Sequence, residues 1–510
     1  MPPTIPAIDP ASGTPFAETA TTSPGDLAGM VSRAREAQRD WAERPLAERR
    51  RIVAGFQHRF YQRRMEIAAL VSRENGKPVA EALLTDVAVT LDLARYYLEH
   101  AERILRPRTV VHGNLAFLGR RGRVYWEPRG VVAIISPWNY PLLLPFGELL
   151  PALLAGNAVI LKPSEFTTRT ALAALEMLHE SGLPPALAQL AVGAGDVGAA
   201  LIATGPDKIF FTGSARTGQK VAAEAAARHI PVNLELGGSD AAIVLADADL
   251  ERSAGGVLWA RFSNGGQTCV AAKRVIVEQP IYERFVELLV AKAGALHLGV
   301  DLGPVIRESQ LVELERQLRE TVAKGATVRT GGKRRPDLGP TYFEPTIVTD
   351  VPLDSPLWRE EVFGPVLPVV AARSEAEALR LANDSAFGLG ASIWTGSRAR
   401  GEALARRVEA GAVLVNDAAS HVGTAEVPHG GEKSSGLGRT HGEMGMLETC
   451  KPRYVGSDWL SIRKPWWFGY TAESLAERDA FLRFTFAPSW WERVKAAPAA
   501  LRLLFNRRPV

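Results

Sequence analysis

Cys269 lies in the stretch FSNGGQTCVAAKR, three residues after the glycine pair Gly265-Gly266. A free thiol ionises at about pH 8.5, so little of it is thiolate at neutrality unless its surroundings shift it. A polar turn at a helix end brings backbone N–H groups close to such a group, or to an oxyanion formed beside it. Glu235 closes the apolar run of NLELGGSD just before two glycines, at a strand end where α/β enzymes place functional groups. Asn139, in SPWNYP, follows another apolar run, and its amide can donate to developing negative charge. The three types amount to a nucleophile, a base and an oxyanion donor. Taken singly, each has a plainer reading: Cys269 as a small buried hydrophobe, Glu235 as a cap or loop acid, Asn139 as an Asx turn before Pro141. Cys450 reads as a buried hydrophobe.

Two glycine patterns compete for a phosphate. Gly193-x-Gly195-x-x-Gly198 matches the dinucleotide fingerprint, yet about 20 residues on the chain offers Gly218 where an acid for the ribose belongs. FTGSARTG sets Gly213 and Gly218 between a strand and a helix, with Ser214 placed to cap that helix. An acid suited to a ribose stands instead in LKPSE, where Lys162 and Glu165 lie just past a strand end. The sequence rules alone do not choose between the patterns.

The elements that must position these residues alternate. GVVAIIS (130–136), AVILKP (158–163), LAQLAV (187–192), KIFFT (208–212) and PVNLEL (231–236) are short apolar runs separated by helical patterns, as a parallel sheet requires. A second series runs from AAIVLAD (241–247) through KRVIVE (273–278) and the helix 281–296 to VLVND (413–417), with a hinge expected near Gly237-Gly238. Residues 27–104 read as amphipathic helix and 109–128 as extended strands with turn glycines. LLLPFGELLPALLAGNAVIL (142–161) is apolar enough to suggest a membrane span, but Glu148, two prolines and Asn157 make it a buried helix followed by a buried strand.

The 510 residues are 46% hydrophobic and 23% charged, which fits a soluble protein of several domains with a large core. A net charge of +4 argues against nucleic acid as a partner, and two cysteines exclude a disulfide scaffold or a cysteine-based zinc site. No secretory pattern opens the chain, so a cytoplasmic location is expected. The whole excess charge sits in residues 456–510, which also hold five of the eleven tryptophans and so form a separate compositional unit.

The ordered set SPWNYP, LKPSE, FTGSARTG, LELGG, GQTC, EEVFGPV and PHGGEKSSGLGR resembles the aldehyde dehydrogenase superfamily over nearly all of the chain to about Val455. The resemblance implies an α/β fold: a Rossmann-type cofactor domain (1–106 and 128–237) with a five-stranded parallel sheet, and an α/β catalytic domain (238–445). It further implies a β-flap for oligomerisation (107–127 and 446–456), leaving 457–510 as an extension. It makes Cys269 the nucleophile, Glu235 the general base and Asn139 the oxyanion donor. Cofactor contacts fall to Trp138, Lys162, Ser164, Glu165, Gly195, Gly213, Ser214, Gly218, Glu361 and Phe363, with the Gly193 fingerprint a decoy for the pyrophosphate. The implied reaction oxidises an aldehyde to a carboxylic acid through a thiohemiacetal and a thioester on Cys269, without a metal. Glu165 points to NAD, with NADP used more weakly, because a carboxylate on the ribose hydroxyls repels a 2′-phosphate. Three places depart from the family pattern: Ser239 replaces a lysine, LGVDLGPVI is short, and His429 replaces a phenylalanine.

Tyr140, Leu143, Leu144, Ser263, Thr268 and Val270 are expected to line the aldehyde tunnel. That lining is mainly apolar and no arginine is evident to hold a second carboxylate. Medium aliphatic or aromatic aldehydes are therefore favoured over succinic semialdehyde. Release of the acyl group to CoA, or a non-catalytic binding protein on the same fold, are the other readings. A homodimer or homotetramer is expected. The extension clusters aromatics around Arg463 and Lys464, with Pro488 and Pro498 set to break any long helix. It reads as an arm packed on its own or a neighbouring subunit, with peripheral contact at a membrane surface as the alternative.

Overall fold

The five apolar runs of the first series form one parallel sheet in the spatial order Val232–Glu235, Lys208–Thr212, Val131–Ile135, Ala158–Lys162, Ala188–Leu190. Gly436–Leu437 adds an antiparallel edge beside Val232–Glu235. The structure, a computed structural model, describes residues 3–460, 464 and 466–505. In this sheet the chain starts at the central strand Val131–Ile135, steps outward to one side, then returns to build the other. The carboxyl ends of the strands flanking that reversal form the crevice where open α/β sheets bind ligands. SPWN, LKPSE and FTGS all follow those ends. The apolar segment after SPWN is the fully buried helix Leu143–Ala155, with Pro151 inside it, and leads into Ala158–Lys162.

The second series forms a seven-stranded sheet: Thr327–Thr330, Thr346–Thr349, Val366–Ala372, Ala272–Glu278, Asp240–Val244, Gly390–Trp394, Ala412–Val415. All its pairings are parallel except that of Thr327–Thr330. Its two faces pack apolar clusters centred on Ile243, Ile276 and Trp358 on one side and Val244, Val275 and Phe285 on the other. Four residues separate Glu235, the last of one sheet, from Asp240, the first of the other. Both sheets lie in one compact unit, Met1–Ile104 with Pro128–Cys450, so the contacts do not divide the chain at Gly237-Gly238.

Leu105–Glu127 and Lys451–Val510 form a second unit. Strands Arg108–Val110, Arg120–Pro128 and Cys450–Asp458 make a three-stranded sheet, and helices Ala472–Phe486 and Trp490–Phe505 form a hairpin. Pro488 separates the two helices, but Pro498 sits inside the second, contrary to the expectation that both prolines break helical structure. The lost backbone bond is tolerated because Ala496, Ala500, Leu503 and Leu504 are buried on either side of it. Lys464 does not face outward as a headgroup contact would: it is buried and paired with Asp458 at 3.0 Å. Arg463 lies outside the described residues. Among the described residues no helix is long and apolar enough to cross a membrane.

Candidate active site

Three consecutive left-handed residues, Asn264 (φ 53°), Gly265 (φ 63°) and Gly266 (φ 74°), follow the helix Leu250–Phe262 and bend the chain toward Cys269. At Gly266 a Cβ would collide with the Gly364 carbonyl, so only glycine fits the turn. Gln267, fully buried, fastens it: its oxygen accepts from the Ile306 N–H at 2.9 Å and its amide donates to the Asn264 carbonyl at 2.9 Å. Cys269 then opens on a cavity of about 360 Å³ whose wall also holds Trp138, Asn139, Glu235, Glu361 and Phe363.

Asn139 is fixed through its backbone. Its carbonyl accepts from Lys77 Nζ and Asn264 Nδ2, each at 2.9 Å, and Lys77 is in turn paired with buried Asp86 at 2.7 Å. The Asn139 amide donates to the Gln267 carbonyl at 3.2 Å, two residues before Cys269. Glu235 ends its strand with both carboxylate oxygens buried and without a hydrogen-bond partner. Burial, and then the carboxyl of Glu148, push its pKa well above the usual carboxylate range, against the pull of Arg439. Burial likewise pushes the Cys269 thiol up to about 12, with Lys273 opposing and Glu361, Asp240 and Glu235 adding to the rise. Cys269 therefore rests as a thiol, and the glycine turn does not by itself make a thiolate.

Lys273 escapes a reading of the motifs. Its ammonium, fully buried, donates to the carbonyls of Gly238 (2.7 Å) and Cys269 (2.8 Å) and to Glu361 Oε1 (2.9 Å). It thereby ties the Cys269 backbone to the link between the sheets and to the EEVFGPV loop. The available signal is a lysine at the start of Ala272–Glu278, a strand with every residue buried, where an unpaired charge cannot persist. Gly238 is held equally close, since a Cβ there would stand 2.7 Å from the Cys269 carbonyl oxygen. Arg307 is the second omission: it lines the Cys269 cavity and lies over the Phe166 ring at 4.9 Å.

A cleft of about 680 Å³ adjoins this cavity, sharing Trp138, Gly213, Ser214 and Arg307 in its wall. Lys162, Ser164, Glu165, Gly195 and Gly198 complete one side. Lys162 Nζ stands 3.7 Å from Glu165 Oε2, and Ser164 Oγ donates to the same carboxylate at 3.3 Å. Ser214 caps the helix Ala215–Ala227 by accepting from the Thr217 N–H at 3.3 Å, so the positive end of that helix faces the cleft. At Gly195 a Cβ would meet nothing within 4 Å. A groove of this size, lined by apolar side chains together with a helix N-terminus, a lysine and a carboxylate, fits a dinucleotide. Gly218 lines neither space: a side chain there would collide with Leu236, so this glycine serves helix–strand packing.

Of the six residues expected around a substrate tunnel, Tyr140, Leu143, Leu144, Thr268 and Val270 are buried and line neither space. Tyr140 and Thr268 share a hydroxyl hydrogen bond of 2.7 Å, and Thr268 reaches the Ser263 carbonyl at 3.5 Å. Ser263 lines a separate cavity of about 500 Å³, walled mainly by Leu84, Leu258, Trp259, Phe262 and Leu296, with Glu81 among them.

The sequence pattern of the Aldehyde dehydrogenase family matches residues 2–455. The chain is 37% identical to the 4,4'-diapolycopene aldehyde oxidase of a Methylomonas species over 95% of this chain and 91% of that protein. It is also 37% identical to a Mycobacterium ulcerans (strain Agy99) protein named "Putative succinate-semialdehyde dehydrogenase", NADP(+), over 88% and 87% of the two chains. Among solved structures, the NAD+ complex of an aldehyde dehydrogenase from Bacillus cereus superposes with a TM-score of 0.86 at 32% identity, covering 90% of this chain and 94% of that one. A thiol, a buried carboxyl and an amide donor beside a dinucleotide-sized groove agree with that match, and the chain belongs to the aldehyde dehydrogenase family, oxidoreductases that act on aldehydes with NAD(P).

Proposed function

We propose that the chain oxidises an aldehyde to its carboxylic acid on Cys269, with Glu235 as general base and Asn139 as oxyanion donor. The observation that carries this reading is the convergence of these three residues on one cavity that adjoins the larger cleft. Cys269 rests as a thiol and attacks the carbonyl carbon through its sulfur once its proton has passed to water in the cavity. The Asn139 amide and the Cys269 N–H receive the oxyanion, which collapses to a thioester. NAD(P), when bound, supplies the hydride acceptor for that collapse. Glu235 then draws a proton from the water that hydrolyses the thioester. Glu235→Gln tests the assignment: a first turnover should still form NADH, and mass spectrometry of quenched protein should show an acyl group on Cys269. Unchanged steady-state turnover would remove Glu235 from the role.

The cofactor is proposed to sit along Lys162, Ser164, Glu165, Gly195, Gly213 and Ser214, reaching Trp138, Glu361 and Phe363 at the reacting end. NAD is the preferred form on the strength of Glu165. The mycobacterial relative named for NADP sets the competing expectation, and the ratio of kcat/KM for the two cofactors decides between them. Residues 1–106 and 128–237 are assigned to cofactor binding, 238–445 to catalysis and 107–127 with 446–456 to a flap between subunits of a dimer or tetramer.

Medium aliphatic or aromatic aldehydes remain the favoured substrates, supported by the apolar cavity at Ser263 and by a relative named for a diapolycopene aldehyde. Arg307 favours a second reading, a short aldehyde bearing a carboxylate, as in the relatives named for succinate semialdehyde. A panel spanning hexanal, benzaldehyde and succinic semialdehyde separates the two. A marked preference for the last, lost in Arg307→Gln, would establish the second reading.

A further inference from the structure

Three histidines stand in a row beside Glu235. His429 Nε2 lies 3.7 Å from Glu235 Oε2, and the His429 ring lies between those of His421 and His441, at centroid distances of 5.6 and 5.8 Å. All three are buried. Both nitrogens of His421, and Nδ1 of His429 and of His441, lack hydrogen-bond partners, as do both oxygens of Glu235. Unpaired polar atoms at such density in a protein interior are costly and call for an explanation. Metal binding does not supply one, since no group of His, Cys, Asp and Glu among the described residues is arranged to hold an ion.

The row is held by separate elements. His421 belongs to the turn Ser420–Gly423, His429 exchanges two backbone bonds with Thr440, and His441 precedes the helix Gly442–Glu448. Charged or titratable groups face it from every side. Glu235 and Arg439 face His429, and Glu148, Arg439 and Cys269 face Glu235. His441 Nε2 abuts Gly147, next to Glu148. His421 crowds Gly390 together with Asp240 and is drawn by Asp417, which is exposed. Burial holds all three imidazoles neutral, so each can accept a proton on one nitrogen and release one from the other.

We propose that His429, continued by His421, is a proton exit from Glu235 to the surface at Asp417. The inference rests on the reading of Glu235 as base. In hydrolysis one O–H bond of water breaks, its oxygen bonds the acyl carbon, and the carbon–sulfur bond breaks. Cys269 returns to the thiol and the product leaves as carboxylate, so hydrolysis releases one proton through Glu235, in addition to the one the thiol gave up on forming the thioester. The Glu235 carboxylate oxygens are buried at the cavity wall, and the ionisable nitrogen beside them, 3.7 Å away, is on His429.

His429→Phe keeps the ring volume and removes the transfer. Expected are an undiminished first-turnover formation of NADH and a steady-state rate lower by about tenfold or more. The solvent isotope effect on kcat should be enlarged and the kcat–pH profile displaced to higher pH. Acyl-enzyme should accumulate on Cys269. Wild-type rate, isotope effect and pH profile in His429→Phe, alongside lost turnover in Glu235→Gln, would overturn the exit and leave the base standing. Retained turnover in Glu235→Gln would overturn both. If His429→Phe does not fold, as judged by thermal melting, His421→Gln replaces it: the same slowed turnover and enlarged isotope effect support the exit, and wild-type values overturn it.

Discussion

The site-bearing unit and the C-terminal hairpin break opposite rules. Around Cys269 the protein buries what water would ordinarily hold: Lys273, Glu235, Lys77 with Asp86, and three histidines. The hairpin exposes what a core would ordinarily hold. Leu475, Leu482 and Phe486 fall on one face of Ala472–Phe486, while Trp490, Val494, Leu501 and Phe505 line one face of Trp490–Phe505, all exposed. Scattered surface hydrophobes need no explanation, but stripes at helical spacing do. Buried polar groups mark chemistry on small molecules; exposed apolar stripes mark a surface that something else covers. Trp459, Trp466, Trp467 and Tyr470 of the tail are about half exposed or more. Yet Trp466 packs on Phe117, Trp459 lies under Arg121, and Phe481, Ala500, Leu503 and Leu504 cluster with Ala116, so an arm packed on its own or a neighbouring subunit and a membrane contact both stay open.

The contrast is broken most directly at Cys269, the proposed nucleophile. Cys269→Ala should lower kcat on the order of 10⁴–10⁶-fold, measured as steady-state NADH formation, whereas Cys450→Ala should leave it intact because Cys450 lies outside the wall of the Cys269 cavity. Asn139→Ala should cost about 10²–10³ in kcat with a smaller change in KM. If both parameters move together, Asn139 supports folding of the site and not the oxyanion.

A pH test sharpens the buried side. His421 and His441 fall to about 4 in the fold from an ordinary 6.5, because burial disfavours the cation. The unfolded chain therefore binds protons first as pH drops below 6.5, so stability present above 6.5 is lost progressively toward pH 4. Between pH 7 and 5 the loss should be on the order of 2 kcal/mol per histidine by urea denaturation. His441→Gln should flatten the slope; an unchanged slope would mean that the imidazoles are hydrated in solution. The smallest effect on chemistry is expected from removal of the tail after Val455. Turnover per subunit on a short aldehyde should change less than about tenfold, while sedimentation should report a smaller assembly. An intact assembly that no longer cosediments with anionic liposomes would assign the stripes to a membrane surface instead.

The two regions also differ in how far their residues are legible from the chain alone. GVVAIIS and KIFFT announce strands because a strand buried on both faces must be apolar throughout, and each motif at a strand end follows from that sheet. Cys269, Glu235 and Asn139 are legible because each carries a reactive type beside a glycine turn or a strand end. Lys273 and Arg307 are not, since their partners lie in loops far along the chain, and charge alone does not say what it pairs with. His429 stands out as an unusual residue, but its row with His421 and His441 exists only once three loops are folded together. Gly218 misleads for the opposite reason: a glycine demanded by packing looks the same as one demanded by a phosphate. In the hairpin, Pro498 reads as a break where buried neighbours hold the helix together.

A thiol held near 12 has a consequence for the lifetime of the protein. Peroxide and alkylating agents attack the thiolate, and oxidation past the sulfenic acid is not reversed by ordinary cellular reductants. By keeping Cys269 protonated until a carbonyl is in place, burial and the surrounding carboxylates store the nucleophile in its least corrodible form. On this reading the fold gives up resting reactivity for durability, and the thiol is expected to resist oxidative wear between encounters with substrate.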